Sequence, residues 1–131
     1  MNNEQRAQVI YKAVDRALVA GHSLQVGVFG ARISFPVSDA RTSIILEHEI
    51  CPITATVMFC GRQHPSSRYS HGNVSQFLIQ EFARLLELSA MQARRFYDRF
   101  DLLFVNSSQE VLSGLTVDSW QSLLDVATSS P

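Results

Sequence analysis

The chain has 131 residues, which suits one domain of ordinary size and is enough to bury a sizeable core without a metal or disulfide. With 46% apolar, 9% aromatic and 18% charged residues, it is neither a disordered chain, a collagen-like chain nor a charged coiled coil. Eleven basic against 12 acidic side chains leave a net charge of −1, which argues against a nucleic-acid partner held by overall charge.

The first residues lead into a charged amphipathic stretch instead of the apolar core of a signal peptide, and no window approaches the roughly 20 continuous apolar residues of a membrane span. The expectation is a cytoplasmic protein without membrane contact, in which Cys51 and Cys60 stay reduced. A mean hydropathy of +0.04 is high for a small monomer and points to a homodimer.

In chain order, Ala7, Ile10, Tyr11, Val14, Ala17 and Leu18 recur at three- and four-residue spacing and predict a helix over residues 4–20. Asn3 caps it, Gly21 stops it, and Arg6, Lys12, Asp15 and Arg16 form its solvated face. The middle reads as β. Residues 24–29 and 32–37 flank Gly30-Ala31, which is either a hairpin turn or a bulge in one bent strand. Residues 42–49 and 53–59 are the next strands, with Cys51-Pro52 as the turn between them. A strand between Cys51 and Cys60 would hold them roughly 30 Å apart, beyond disulfide reach. Short polar connections favour antiparallel pairing. Val74, Phe77, Leu78, Phe82, Leu85 and Leu86 then form a helical stripe with Asn73 as cap. Ser89 caps a helix through Phe100, and residues 102–105 either finish it or form a short strand. A short helix over residues 110–115 and a last helix after Thr116, carrying Val117, Trp120, Leu123, Leu124 and Ala127, complete the chain. The predicted fold is one α+β domain over residues 1–131: an antiparallel three- or four-stranded meander packed by the N-terminal helix and two to four C-terminal helices.

The longest polar connection, residues 60–73, is the leading site candidate. No Asp or Glu occurs from residue 50 through residue 80, and Arg62, His64, Arg68 and His71 fall inside that window. The segment ends at Asn73 on a predicted helix N-terminus, where free N–H groups and the helix dipole favour an anion. Arginine forks grip phosphate or carboxylate at two points, and histidines add donors as pH falls. Arg62, His64, Arg68, His71 and Asn73 are therefore the expected ligand-binding residues. The opposing reading is a solvated loop. Cys60 beside His64 or His71 supports a third reading, a small enzyme with a thiol nucleophile or a histidine base. Seven residues separate Cys60 from Arg68 where the phosphatase cradle has five, so no catalytic residue is assigned. His48-x-x-Cys51 and Cys60-x-x-x-His64 have zinc-ligand spacing, but the strand between the pairs would hold them apart. No metal or cofactor is expected.

Residues 79–96 resemble a helix-turn-helix over about 20 positions, with Ala83, Leu86, Leu88, Ser89, Ala93 and Phe96 at its packing positions and Glu87 where that motif usually has glycine. The resemblance implies a DNA-reading helix over residues 90–98, with Gln92, Arg94 and Arg95 toward the bases. Residues 73–131 carry seven carboxylates and four arginines, which weighs against phosphate contact. The leading functional expectation is a non-enzymatic binding module, a homodimer accepting a small anionic ligand, an acidic peptide or a protein partner. The alternatives are a helix-turn-helix DNA-binding regulator and a small enzyme.

Overall fold

The computed structural model describes residues 1–27, 31–34, 43–46, 48–60 and 74–129. Helix α1 (Asn3–Val19) begins with a reciprocal cap: the Asn2 side chain accepts from the Gln5 N–H, and the Gln5 side chain accepts from the Asn2 N–H. The cap is thus Asn2 and not Asn3. The helix closes on Gly21, whose φ of +98° is left-handed; His22 N–H bonds Ala17 O at 3.0 Å and Gly21 N–H bonds Leu18 O at 3.1 Å, a Schellman pattern. Ala7, Ile10, Ala13, Val14 and Ala17 are buried.

Four short strands follow: β1 (Ser23–Leu24), β2 (Ala31–Ser34), β3 (Ser43–Leu46) and β4 (Glu49–Ile50). They form two separate ribbons. β1 pairs in parallel with β4, with Ser23 opposite Glu49 and Leu24 opposite Ile50. β2 pairs antiparallel with β3, with Ala31 opposite Leu46 and Ser34 opposite Ser43. The expected strands over 24–29 and 32–37 therefore do not pair with each other among the described residues. The hairpin-or-bulge question at Gly30 falls on a residue outside them.

The largest correction concerns residues 53–59, expected as a strand. They form helix α2 (Pro52–Phe59). The Cys51-Pro52 dipeptide is a helix start: the Cys51 Sγ accepts from the Thr54 N–H, and Pro52 occupies the first turn, where a missing N–H has no cost. Residues Pro52 through Val57 are all buried, so the helix is wrapped by the molecule on every side and carries no amphipathic period. Its two buried threonines satisfy their hydroxyls locally, Thr56 Oγ1 donating to Pro52 O at 2.8 Å and Thr54 Oγ1 meeting Cys51 Sγ at 3.6 Å.

The remaining helices are α3 (Val74–Leu86), α4 (Ala90–Phe104), α5 (Gln109–Ser113) and α6 (Val117–Thr128). Residues 102–104 continue α4 as helix, which removes the strand alternative there. Ser89, Ser108 and Thr116 cap α4, α5 and α6. The α+β reading, with its antiparallel meander, is thus overturned: six helices carry the architecture of the described residues, and the strands are minor ribbons. α1 packs against α2 and α6, and α4 packs against α3 and α6. Ile10, Ile50, Ile53, Phe82, Phe96, Phe100, Trp120 and Leu124 fill the centre. No helix among the described residues is long and apolar enough to cross a membrane.

Candidate functional site

Arg62, His64, Arg68, His71 and Asn73, the expected ligand-binding residues, lie outside the described residues. The candidate surface that the described residues do form lies on the helices that follow them.

The connection between α3 and α4 is a tight turn. Leu88 N–H bonds Ala83 O at 2.8 Å and Glu87 N–H bonds Arg84 O at 3.4 Å, the same Schellman pattern that ends α1. Glu87 occupies the left-handed position with φ +58°. The turn that the helix-turn-helix resemblance requires is therefore made with glutamate in place of glycine. Arg6 braces it from α1, its Nε donating to Leu86 O at 2.7 Å and its Nη2 to Glu87 O at 2.9 Å. A cation on these last carbonyls suits the negative end of the α3 dipole.

The three residues expected to read DNA all sit on the first half of α4, and each has a partner in the chain. Gln92 completes a capping box with Ser89, with its Oε1 2.9 Å from the Ser89 N–H it accepts from. Arg94 pairs with Asp98 at 3.3 Å and lies 5.7 Å over the Tyr97 ring. Arg95 donates from Nη2 to Met91 Sδ at 3.5 Å.

α4 and α6 leave a furrow between them. Its inner hollow, about 310 Å³, is lined by Arg99, Leu103, Phe104, Ser122, Leu123 and Val126. An outer hollow of about 260 Å³ continues it past Arg95, Asp98, Arg99, Leu102 and Val126. Arg99 and Val126 belong to both. Leu102 is 67% exposed, Leu103 52% and Val126 48%, so the furrow has apolar rims open to solvent. The Arg99 Nε is buried and has no hydrogen-bond partner among the described residues. A buried guanidinium N–H without an acceptor carries an uncompensated desolvation cost, commonly ~1–3 kcal/mol and more when charged. Sequence reasoning missed Arg99 and this furrow. The signal it could have used was Leu102-Leu103, which extends an amphipathic helix beyond its buried stripe one turn after Arg99.

The cysteines are poor nucleophiles. Burial pushes the Cys51 thiol up to about 11. Burial also raises Cys60, opposed by the nearby Arg16 guanidinium. Both are thiols at neutral pH. They stand at opposite ends of α2, about 14 Å apart at 1.5 Å per residue, closer than the strand reading implied and still too far for one metal ion or a disulfide. His48 is exposed beside β4, and no cluster of three metal-ligating side chains occurs among the described residues.

Comparison with protein-family models, curated sequences and solved structures finds no match to this chain.

Proposed function

We propose that the chain is a non-enzymatic binding module, acting as a homodimer, whose α4–α6 furrow accepts an apolar peptide segment bearing a carboxylate. One observation carries the reading: Arg99, with an Nε lacking an acceptor among the described residues, lies along a furrow rimmed by exposed Leu102, Leu103 and Val126. Leu103 and Val126 offer contact area for apolar side chains, and a carboxylate on Arg99 would form a charge-assisted bond in a partly desolvated place.

Ser119 also lines the inner hollow. Anisotropy of a fluorescein-labelled capped peptide combining leucine and glutamate should rise on titration with the protein, and Arg99→Met, which keeps the stem and removes the charge, should weaken binding by about tenfold or more. The Arg62→Ala/Arg68→Ala variant should bind as the parent does. The reverse outcome moves the anion site to residues 60–73, and no rise with the parent overturns the module reading.

A second reading has one observation in its favour. The Glu87 turn supports a helix-turn-helix DNA regulator reading through Gln92, Arg94 and Arg95. Against it, those three side chains have partners within α4 or its cap. A gel shift on duplex DNA whose affinity falls steeply with salt would establish this reading over the peptide module.

A further inference from the structure

One stripe of α4 faces solvent over most of its length. Met91, Arg95, Asp98, Leu102 and Val105 follow each other at steps of four, three, four and three residues, which places them within an arc of about 80° on the helix. Phe96 and Phe100, on the opposite side, are fully buried. Met91 is 65% exposed, and Leu102 and Val105 are exposed to a similar degree, so large apolar side chains flank a charged pair in the middle. Among the described residues no carboxylate pairs with Arg95, and Asp98 is held only by the exposed Arg94. A seven-residue period on a solvent face is the pattern of a helix that packs on another helix.

We propose that this stripe packs against the same stripe of a second copy, antiparallel, about a two-fold axis passing between Phe96 and Tyr97. This rests on the homodimer part of the reading above and names its surface. The charges select both orientation and register. In the antiparallel arrangement with that axis, Arg95 of each copy faces Asp98 of the other, and Met91 of each faces Leu102 of the other. Two ion pairs and two apolar contacts form from one self-complementary patch, as an isologous interface requires. A parallel pair would set Arg95 against Arg95 and Asp98 against Asp98. Sliding the antiparallel pair until Asp98 sits on the axis would oppose the two Asp98 carboxylates. Both alternatives carry like-charge repulsion, which is costly at a helix interface. The pairing uses the outer hollow and leaves the inner hollow, between Leu103, Phe104 and Leu123, for the peptide.

Sedimentation equilibrium of the full chain tests this. The parent should self-associate. Arg95→Asp and Asp98→Arg each place two like-charge contacts in the interface and should weaken association by about 30-fold. An equimolar mixture of the two variants should recover it as a heterodimer, since one chain then presents carboxylates at both positions and the other presents guanidinium groups at both. The variant carrying both substitutions should recover it as a homodimer. Circular dichroism checks that every variant keeps its helices. Unweakened dimers of both single variants would overturn the proposal while leaving a homodimer through another face. Failure of the mixture to recover would overturn it too. A parent that stays monomeric at all concentrations would remove the homodimer reading as well, whereas the peptide titration tests the furrow independently.

Discussion

At the scale of single residues, Gly21 and Glu87 do the same work with opposite legibility. Each is the left-handed residue that ends a helix in a Schellman pattern. Glycine advertises that role, so the end of α1 is readable from sequence; glutamate does not, because a side chain in this conformation is disfavoured by about 1 kcal/mol relative to glycine. The Glu87 carboxylate meets the Met1 amine at 2.7 Å, but an exposed pair adds little. Glu87→Ala and Glu87→Gly both delete that pair, so comparing them isolates the backbone: the glycine variant should be the more stable by about 1 kcal/mol in urea denaturation, with equal m-values. Arg6 is the other half of the arrangement. The period of α1 assigns it to a solvated face, yet it donates to two terminal carbonyls of α3, 80 and 81 residues away. A long-range side-chain bond of this kind has no local signature. Arg6→Ala should lower stability by about 1–2 kcal/mol, and Arg6→Lys should restore less than half of that, since an ammonium cannot span both carbonyls as the fork does. Urea midpoints of the three proteins decide it.

At the scale of elements, legibility follows the source of each helix's stability. α1, α4 and α6 each bury one face, start on a capping side chain and are readable from period and cap together. α2 is different. Thr54, Thr56, Val57 and Ile53 are β-branched, and an all-buried helix has no apolar stripe to reveal it. Propensity favours a strand; packing between α1 and α3 makes it a helix. The same reasoning explains why the expected meander does not form: once its last strand is a helix, the remaining β segments pair as two short ribbons. An isolated peptide of residues 48–61 should therefore show no helical circular dichroism in water, since short helices are marginal alone and this one lacks its neighbours. A peptide of residues 88–106, which keeps the Ser89–Gln92 capping box, should show measurable helicity. Helix in the first peptide would mean that local sequence, and not burial, makes α2.

At the scale of the whole molecule, the core is one aromatic-centred cluster that draws on all the long helices. Trp120 of α6 lies 5.9 Å from the Phe100 ring and 6.4 Å from the Phe96 ring of α4, fully buried. Its Nε1 has no partner among the described residues, so two effects of similar size oppose each other. Trp120→Ala should cost about 3–5 kcal/mol by cavity formation, whereas Trp120→Phe loses less volume and also removes the orphaned N–H, leaving a net change within about 1 kcal/mol. Which surfaces stay open is likewise a property of the assembled molecule: the acid-free window of residues 50–80 is visible in the sequence, but the furrow beside Arg99 exists only after α4 and α6 have packed, which is why composition points elsewhere. The buried acids give the assembled core a pH signature. Cys51 is raised from 9.0 to about 11 by burial, and Tyr97 is raised by burial and by the Asp101 charge beside it. In both groups the neutral form is the protonated one and the folded state holds the proton more tightly than the unfolded chain. Stability from Cys51 is therefore complete below pH 9 and is lost as pH rises from 9 toward 11, by about 2–3 kcal/mol, with Tyr97 adding to the loss at higher pH. Urea unfolding across that range should show the decline. Cys51→Ala should begin less stable yet hold its stability flatter between pH 9 and 10, because the group that releases its proton first on unfolding is gone; an unchanged slope in that variant would place the alkaline sensitivity elsewhere in the core.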